Sequence, residues 1–424
     1  MLRTEVRYEG AGGQPLADYL RSDGYHAPLV VADPNTYRAA GRMLSAGLRA
    51  AGVGVEDFVL DDDTPSPDAC SVGDVLIGMS TSPDIVIGVG GGTVTDIARL
   101  VAHRMDRPFI SYPTAPSVDA FSSPTSAMIF RGVKKTVPAR SPQLIFAHPD
   151  VLTAAPHKMI AAGFGDMMAK LTAAVDWRLS ALVFAEPFDA GIVERVRQAV
   201  DSCVREVDGI GRHETEAVCT LLDGLVESGD CMREWNGSRP ASGSEHLLSH
   251  FFEMQAHKQG RHGALHGSKV AVGTIAVAAV FRRLARMGAE ELARRVSNAD
   301  PPDRTALQRQ AVVEFGEEAA ATLLSEHPFT TMSEGHFRRL SRQIADRAGE
   351  IIDLSDAAPD PAYLIDLMRR AGGPTQPADI GIETEDLRAA LSVAHLIRTR
   401  FGLLTLVHLF RLFEPAAVVE EWFG

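Results

Sequence analysis

Short apolar runs alternate with helical patterns between about residues 25 and 150. The residues between the runs, chiefly 37–51 and 69–79, have the periodicity of helices. Strands separated by helices of about 10–15 residues are typical of βαβ units and a mostly parallel sheet. The pattern therefore predicts an α/β fold of the nucleotide-binding type. The predicted strands cover residues 28–33, 57–60, 84–89, 108–112 and 143–147.

The strand pattern ends near residue 150, and helical periodicity continues to the end of the sequence. We predict loops in two stretches rich in Pro, Asp and Gly, at 297–303 and 355–381. The expected organisation is an α/β domain over residues 1–150 and an all-helical domain over 151–424. The predicted helices cover residues 158–184, 187–207, 213–228, 243–257, 267–287, 304–325, 336–350 and 385–413.

Composition narrows the class of protein. Of 424 residues, 45% are hydrophobic and 23% are charged, which is typical of a globular chain. The net charge of -13 argues against a broad nucleic-acid-binding surface. No run approaches the ~18 uninterrupted apolar residues of a membrane span. The most apolar late stretch, 387–413, is interrupted by Arg398, Arg400 and Arg411.

The four cysteines, Cys70, Cys203, Cys219 and Cys231, form no C-x-x-C pair and no tight framework. Neither a disulfide scaffold nor a thiolate zinc site is indicated. The first residues lack the apolar core of a signal peptide. We expect a reduced, cytoplasmic protein.

An apolar run ends in three glycines, Gly90, Gly91 and Gly92, and a helix pattern follows from Thr93. Glycines allow a sharp turn and close approach of the backbone to a ligand, while the amides and dipole of a helix N-terminus favour phosphate. The standard dinucleotide fingerprint has Gly or Ala where Thr93 stands. Two interpretations remain, a phosphate-binding turn and a plain tight turn between strand and helix.

Asp33 stands at the end of the first predicted strand, before Pro34. An acidic residue there can accept both hydroxyls of an adenosine ribose, which would favour NAD over NADP. It can equally serve as the N-cap of the next helix. The sequence leaves both interpretations open.

Five of the 14 histidines fall within 21 residues, namely His246, His250, His257, His262 and His266. His246 and His250 lie four residues apart on one predicted helix, and His266 begins another. Imidazoles from separate elements can converge on one cation, and a catalytic zinc site uses three protein ligands with an open position. His246 or His250 alone could instead be a satisfied core histidine, and His257 and His262 are typical of solvated loops.

Asp166 is the candidate third ligand. It follows Gly163 and Gly165 at a predicted helix start and precedes an apolar segment, where an unpaired charge is costly. A plain N-cap is the alternative interpretation. Asp166, two histidines and a phosphate-binding turn together point to a metal- and nucleotide-dependent enzyme.

These motifs resemble those of the sn-glycerol-1-phosphate dehydrogenase family, within the dehydroquinate synthase-like and iron-containing alcohol dehydrogenase superfamily. The resemblance extends from about residue 25 to 405. It rests on Gly-Gly-Gly-Thr-Val-Thr-Asp at 90–96, Pro-Thr-Ala-Pro-Ser-Val-Asp at 113–119 with Ser123, Gly-Phe-Gly-Asp-Met-Met-Ala-Lys at 163–170, Asp-Trp-Arg-Leu at 176–179, Ser-Gly-Ser-Glu-His at 242–246, His-Gly at 266–267 and Ala-His-Leu-Ile-Arg-Thr-Arg-Phe at 394–401.

The resemblance implies a role for each matched residue. As catalytic residues, Asp119 would hold a substrate hydroxyl, and Asp166 and His250 would face the substrate. Either His250 or metal-bound water would supply the proton to the product. Asp166, His246 and His266 would bind Zn²⁺ or Ni²⁺, with His262 a rival for the last position. The residues implied to bind NAD(H) or NADP(H), with Asp33 added from its place in the sequence, are Gly90, Gly91, Gly92, Thr93, Val94, Thr95, Asp96, Thr114, Ala115, Pro116, Ser117 and Ser123.

The implied activity is reversible hydride transfer between NAD(P)H and dihydroxyacetone phosphate, giving sn-glycerol 1-phosphate. Residues 1–150 would then bind NAD(P), and 151–424 the metal and the substrate. The alternatives are a related polyol dehydrogenase and a catalytically silent NAD(H)-binding sensor. Partners would be a small polyol or keto phosphate, with no nucleic acid and with homo-oligomers as the commonest state. Candidate phosphate-binding residues are Lys134, Lys135, Lys170 and Arg261.

Overall fold

The strands begin near the N-terminus and end at residue 147. The computed structural model describes residues 3–10, 13–80, 82–130, 133–261 and 263–424. The strands are β1 (Val6–Tyr8), β2 (Pro28–Ala32), β3 (Glu56–Val59), β4 (Ile85–Gly90), β5 (Phe109–Pro113), β6 (Thr125–Phe130), β7 (Val133–Pro138) and β8 (Leu144–Ala147).

Helices connect most of these strands and make up most of the chain after residue 147. The α-helices are α1 (Gln14–Ser22), α2 (Pro34–Thr36), α3 (Arg42–Ala50), α4 (Ala69–Gly78), α5 (Gly92–Arg104), α6 (Pro149–Thr153), α7 (His157–Phe184), α8 (Ala190–Arg205), α9 (Val207–Gly211), α10 (Thr215–Trp235), α11 (Ser244–Lys258), α12 (His266–Met287), α13 (Ala289–Ser297), α14 (Arg304–Phe315), α15 (Glu317–Glu326), α16 (Glu334–Asp346), α17 (Ala348–Asp356), α18 (Pro361–Arg370), α19 (Thr384–Val393), α20 (Leu403–Leu409) and α21 (Ala417–Phe423). A π-helical turn spans Tyr37–Gly41, and 3₁₀ turns span Asp119–Ser122, Pro377–Ile380 and Ala394–Leu396.

Six strands form one parallel sheet in the order β1-β8-β5-β4-β2-β3. Its central strands β2, β4 and β5 are fully buried, as their continuous apolar runs require of a sheet covered on both faces. Apolar side chains form one core on each face. The prediction of an α/β fold with a mostly parallel sheet is confirmed.

The strand order reverses at β2 and β4. The chain passes from β2 outward to β3, and then returns to place β4 on the other side of β2. Ligands of open α/β sheets bind at the carboxyl ends of strands at such a reversal. Asp33 and the glycine turn follow these two strands directly.

A hairpin of β6 and β7 was not among the predicted elements. The two strands pair antiparallel from Thr125 opposite Pro138 to Phe130 opposite Val133. Burial alternates along the first half of β6, which is the pattern of a strand with one covered face. Strand β1, only three residues long, was also missed.

The prediction of an all-helical C-terminal half is confirmed, although the bounds of several helices differ from the predicted ones. The predicted loop at 355–381 contains α18, which begins at Pro361 behind an Asp360 N-cap. The predicted helix 304–325 is divided at Gly316, whose φ of 83° lies in the left-handed region. The predicted helix 385–413 is interrupted between the 3₁₀ turn and α20, which leaves 397–402 outside any helix.

Two compact units divide the chain. The first comprises Met1–Met167 and Gln198–Gly237, and the second comprises Met168–Arg197 and Ser238–Gly424. The segment Gln198–Gly237 joins the first unit because α10 packs closely on the 3₁₀ turn Asp119–Ser122, where a Cβ at Gly229 would lie 2.6 Å from the Asp119 carbonyl oxygen. The functional division at residue 150 stays a prediction. No described helix is both long and apolar enough to cross a membrane.

Candidate active site

The glycine turn joins β4 to α5. Gly90 ends the strand, Gly91 occupies the N-cap position, and no side chain caps the helix. A Cβ at Gly90 would lie 2.6 Å from the Val94 Cβ, so the tight turn requires glycine there. The first-turn amides of α5, which has no side-chain cap, are suited to an anion. Thr93, Val94, Thr95 and Asp96 all lie within the first two turns.

The residues predicted to wrap the cofactor lie beside this turn. The amide of Thr114 donates to the Gly90 carbonyl at 3.3 Å. The Ser117 hydroxyl lies 3.8 Å from where a Cβ of Gly91 would stand. Ala115 and Pro116 lie between them in the chain. Their role in cofactor binding stays a prediction, but the structure brings the two segments together.

Ser123 belongs to a segment held by one buried arginine. The Arg99 guanidinium, fully buried, donates to the carbonyl oxygens of Ser123 and Ala120 at 2.9 and 2.6 Å. Burial lowers the pKa of Arg99, and the nearby charge of Asp96 opposes that shift. Arg99 thus fixes the loop that carries Asp119 and Ser123, a positioning role that sequence reasoning missed.

Asp33 caps α2. Its Oδ1 accepts the Thr36 amide at 2.8 Å, and the Thr36 hydroxyl accepts the Asp33 amide at 3.0 Å. Burial raises the pKa of Asp33, and the hydrogen bonds from Thr36 oppose this. The N-cap interpretation is therefore observed. It engages one carboxylate oxygen, so the predicted ribose contact remains compatible with it.

Three candidate metal ligands converge. Asp166, His246 and His266 each offer a ligand atom, and these atoms lie within 4.8 Å of one another. Asp166 is fully buried in α7, His246 lies in the first turn of α11, and His266 begins α12. Two imidazole nitrogens and a carboxylate are a donor set that suits Zn²⁺ and related cations. Their role as ligands stays a prediction.

Asp166 is not an N-cap, contrary to the alternative that the sequence left open. It is a mid-helix residue of α7, which begins at His157. The backbone amide of Asp119 donates to Asp166 Oδ2 at 3.0 Å. The helix can pass this loop because Gly163 has no side chain, since a Cβ there would overlap the Pro116 carbonyl oxygen.

Glu245 orients His246. Its Oε1 lies 2.8 Å from His246 Nδ1 and also accepts the Gly243 amide at 2.6 Å, while Oε2 accepts the Thr172 hydroxyl at 2.9 Å. Burial raises the pKa of Glu245, and the hydrogen bonds from Gly243 and Thr172 oppose the shift. With Nδ1–H directed to Glu245, the lone pair of His246 lies on Nε2. Carboxylates behind histidines are typical of metal sites.

Glu253 serves two histidines at once. Its Oε2 lies 3.1 Å from His250 Nδ1, and its Oε1 lies 3.2 Å from His266 Nδ1. Lys269 also donates to Oε1, at 3.1 Å. Arg398 Nη2 lies 2.9 Å from His250 Nε2. A guanidinium only donates, so His250 Nε2 accepts, and Nδ1 carries the proton directed at Glu253. Sequence reasoning missed Glu253, and its i+3 spacing from His250 was the available signal.

Asp119 is buried in the first unit. Its Oδ2 accepts the Ser228 hydroxyl at 3.0 Å, which holds the carboxylate in place. Since the Asp119 amide also binds Asp166, these two predicted substrate-facing residues belong to one hydrogen-bonded group. The structure thus brings Asp119 to the candidate ligand Asp166.

The Asp-Trp-Arg motif has a structural role in the second unit. Asp176 Oδ2 accepts both the amide and the hydroxyl of Ser244 at 2.6 and 2.7 Å, and its Oδ1 accepts the Leu403 amide at 2.5 Å. Burial raises the pKa of Asp176, and the charge of Glu245 raises it further. One carboxylate thus ties together the starts of α11 and α20.

The candidate phosphate-binding residues and the remaining histidines differ in their exposure to solvent. Lys170 is buried, whereas Lys135 and Arg261 are exposed. His257 is exposed, as expected, but it lies in the last turn of α11 and not in a loop. His262 and the side chain of Lys134 lie outside the described residues, so the rivalry of His262 with His266 stays open.

The chain has the fold of dehydrogenases of the iron-containing type. The family model described as iron-containing alcohol dehydrogenase matches residues 9–156. The structure is similar to a probable glycerol dehydrogenase from Sinorhizobium meliloti, with a TM-score of 0.62 at 17% identity over 99% of this chain and 98% of that one. It is also similar to a 1,3-propanediol oxidoreductase, with a TM-score of 0.63 at 16% identity over 98% of both chains. These neighbours share the fold.

Curated relatives identify the family within that class. A glycerol-1-phosphate dehydrogenase [NAD(P)+] from Halalkalibacterium halodurans is 32% identical over 92% of this chain and 88% of its own length. Its counterpart from Bacillus subtilis is 32% identical over 91% and 86%. The chain belongs to the glycerol-1-phosphate dehydrogenase family.

Proposed function

We propose that the protein is a metal-dependent NAD(P)H oxidoreductase that interconverts dihydroxyacetone phosphate and sn-glycerol 1-phosphate. The observation that carries this is the convergence of Asp166, His246 and His266, with both histidines oriented by buried or half-buried carboxylates. Relatives named glycerol-1-phosphate dehydrogenase, which match most of the chain, also support this function.

The donor set fits a resident divalent cation, either Zn²⁺ or Ni²⁺. When bound, such a cation would polarise the ketone carbonyl as a Lewis acid. The chain contributes the positioning. Glu245 and Glu253 hold the Nδ1–H groups of His246 and His266, and the Asp119 amide holds Asp166. Preorganised ligands of this kind need no rearrangement during the reaction.

The substrate and the cofactor would be held by residues of the chain on either side of the reacting carbon. Asp119 would orient the substrate hydroxyl, its carboxylate being fixed by Ser228. The turn at Gly90–Gly92 would bind the pyrophosphate, and Asp33 would favour NAD(H) over NADP(H) by repelling a 2′-phosphate. Fixing both partners determines which face of the ketone receives the hydride.

His250 is assigned a substrate-facing, positioning role. Both of its ring nitrogens are engaged, Nδ1 with Glu253 and Nε2 with Arg398. It can release a proton from Nε2 only after Arg398 has moved and the ring has been protonated there. We therefore propose that water supplies the proton to the product alkoxide.

The cellular setting follows from the cysteines. None of Cys70, Cys203, Cys219 and Cys231 is in a disulfide. We propose a reducing, cytoplasmic location on that basis. A homo-oligomer is proposed on the frequency of that state among enzymes.

The test is NADH oxidation by zinc- or nickel-loaded protein with dihydroxyacetone phosphate, with dihydroxyacetone in parallel and an EDTA-treated control. Chelator-sensitive turnover with a much higher kcat/KM on the phosphorylated ketone than on dihydroxyacetone supports the proposal. Equal turnover of both ketones indicates a related polyol dehydrogenase. Bound metal with no turnover of any polyol or ketone indicates a silent NAD(H)-binding sensor.

Variants separate the metal site from the fold. His246→Ala and His266→Ala should each lose bound metal and turnover together. His336→Ala is the matched control, because His336 is exposed on α16. A fully active His266→Ala protein without metal would contradict the ligand assignment. A His266→Ala protein that keeps both metal and activity would favour His262 as the ligand.

A further inference from the structure

Two arginines of the interrupted segment 397–402 converge beside the candidate substrate residue His250. Arg398 Nη1 and Arg400 Nη1 both donate to the Ser238 hydroxyl, at 3.0 and 3.3 Å. Arg398 Nη2 reaches His250 Nε2. Two guanidinium groups that share one oxygen acceptor are close enough to bind a single oxyanion.

Neither guanidinium is neutralised by a direct partner. Arg400 Nη2 donates to the carbonyl and hydroxyl oxygens of Ser242 at 2.8 and 3.1 Å. Among the described residues, no hydrogen bond or ion pair joins Arg398 or Arg400 to a carboxylate. Cations removed from water without a counter-charge are costly, and such sites are typically completed by an anion.

A third arginine, Arg239, differs from Arg398 and Arg400 because it has a carboxylate partner. Arg239 forms a two-pronged ion pair with Glu186, with Nε to Oε1 at 2.7 Å and Nη2 to Oε2 at 2.5 Å. Its charge is compensated, and it also donates to the Phe401 carbonyl at 3.1 Å. Arg239 therefore supports the segment, whereas Arg398 and Arg400 have donors without a counter-charge.

The pKa shifts of Arg398 and Arg400 agree with the absence of a direct carboxylate partner among the described residues. Burial, followed by the like charges of Arg398 and Arg239, lowers the pKa of Arg400 to about 9, while Asp176 and Glu245 partly oppose this. Burial and the charge of Arg239 also lower the pKa of Arg398, again opposed by Glu245 and by Glu253. A dianion placed between the two guanidinium groups would relieve both effects.

Contacts within the second unit link the arginine pair, Arg398 and Arg400, to the candidate metal ligand His266. Arg398 contacts His250, and His250 and His266 share the Glu253 carboxylate. The ring centroids of His250 and His266 are 6.4 Å apart. A substrate with its carbonyl at the metal ligands and an anionic group a few bonds away would reach the arginines.

We propose that Arg398 and Arg400 bind the phosphate group of the substrate, with Ser238 and Ser242 holding the two side chains in place. Guanidinium forks match the geometry of phosphate oxygens and form charge-assisted hydrogen bonds. The inference rests on the proposed function for the identity of the substrate. It replaces Lys135 and Arg261 as candidates, because both are exposed on the surface.

The experiment compares dihydroxyacetone phosphate with dihydroxyacetone for wild-type protein and for Arg398→Ala, Arg400→Ala and Arg400→Lys. Each alanine variant should lose about 10- to 100-fold more kcat/KM on the phosphorylated ketone than on the unphosphorylated one. Arg400→Lys should lose less kcat/KM on the phosphorylated ketone, because lysine keeps the positive charge but lacks the paired donors of a guanidinium group. Arg369→Ala is the matched control, since Arg369 is exposed on α18, and it should leave both values unchanged.

Calorimetry with inorganic phosphate on metal-free protein tests the site independently of turnover. Wild-type protein should bind phosphate, and the two alanine variants should lose that binding while their circular dichroism stays native. Equal losses on both ketones, or phosphate binding retained in both variants, would overturn the proposal. If the wild-type protein reduces neither ketone but binds phosphate through these arginines, the proposed reaction is wrong and the anion site stands.

Discussion

Glu245 holds His246 from the residue that directly precedes it in the same helix. The two side chains meet through Oε1 and Nδ1 at 2.8 Å, with Glu245 fully buried and His246 nearly so. Adjacent positions on a helix point in different directions, so the contact requires Glu245 to fold back toward the Gly243 amide. The first turn of α11 thus supplies both a candidate ligand and the group that orients it.

Removing that carboxylate should weaken the metal site without removing a ligand. Glu245→Gln keeps the shape of the side chain but makes a weaker acceptor for the Nδ1–H of His246. We expect zinc affinity to fall by roughly 10- to 100-fold, as measured by competition with a chromogenic chelator. Glu290→Gln, at an exposed position of α13, is the control. Unchanged affinity in Glu245→Gln would show that the Glu245 carboxylate does not support the metal site.

The glycine of α7 that faces Pro116 should tolerate no side chain. A Cβ at Gly163 would overlap the Pro116 carbonyl oxygen, which is backbone and cannot rotate away. Gly163→Ala should therefore destabilise the protein by about 1–3 kcal/mol in urea unfolding. It should also reduce turnover, since Asp166 lies one turn further along the same helix.

A second glycine provides the matched control for that substitution. Gly73 lies within α4, and a Cβ there would meet nothing within 4 Å. Gly73→Ala should be neutral or stabilising by about 0.5–1 kcal/mol, because alanine favours the helix. If both substitutions behaved alike, close packing at Gly163 would not be the cause.

Buried histidines of the second unit should make stability depend on pH. His395 and His408 stack with ring centroids 4.2 Å apart, and His327 Nε2 donates to the His395 carbonyl oxygen at 3.1 Å. Burial lowers the pKa of His395 well below its ordinary value, and the neighbouring charges of His408 and His327 lower it further. Burial likewise lowers the pKa values of His408 and His327, with opposing contributions that include Glu414 for His408.

The direction in which stability changes with pH follows from proton linkage. When the folded pKa is lower than the unfolded one, the unfolded chain binds more protons in the interval between them. Stability is then fully present above the unfolded pKa of about 6.5 and falls as the pH drops, by at most ~1.4 kcal/mol per pH unit for each histidine. Urea unfolding between pH 7.5 and 5 should show this slope. It should be shallower in His395→Gln and unchanged in His336→Gln, whose side chain is exposed.

The sequence indicates the candidate site residues that have strong local signals, and it does not indicate those placed by long-range contacts. The density of histidines led to His246 and His266, and Asp166 stood out as a charge in an apolar segment. The segment 385–413 was predicted as one helix because its apolar positions suit that period. The chain instead breaks before Leu403, whose amide binds Asp176 more than 200 residues away.

That break explains why Arg398 and Arg400 were missed. Gly402 packs against the Asp176 carboxylate, where a Cβ would lie 2.8 Å from Oδ1, and local periodicity carries no information about such a partner. The three arginines that interrupt the apolar stretch were the available signal. The loop prediction at 355–381 failed differently, because Asp360 before Pro361 was a readable helix start that the surrounding Pro and Gly residues obscured.

Asp33 offers a test of cofactor choice that does not disturb the fold. Its Oδ1 caps α2 through the Thr36 amide, and asparagine caps helices about as well as aspartate. Asp33→Asn should therefore keep the melting temperature while removing the negative charge that would face a 2′-phosphate. The ratio of kcat/KM for NADPH to that for NADH should rise by about tenfold, the effect of ~1.4 kcal/mol of relieved repulsion. Asp33→Ala, which also loses the cap, should raise the ratio similarly but cost about 1 kcal/mol of stability. An unchanged ratio in both variants would leave Asp33 as a helix cap alone.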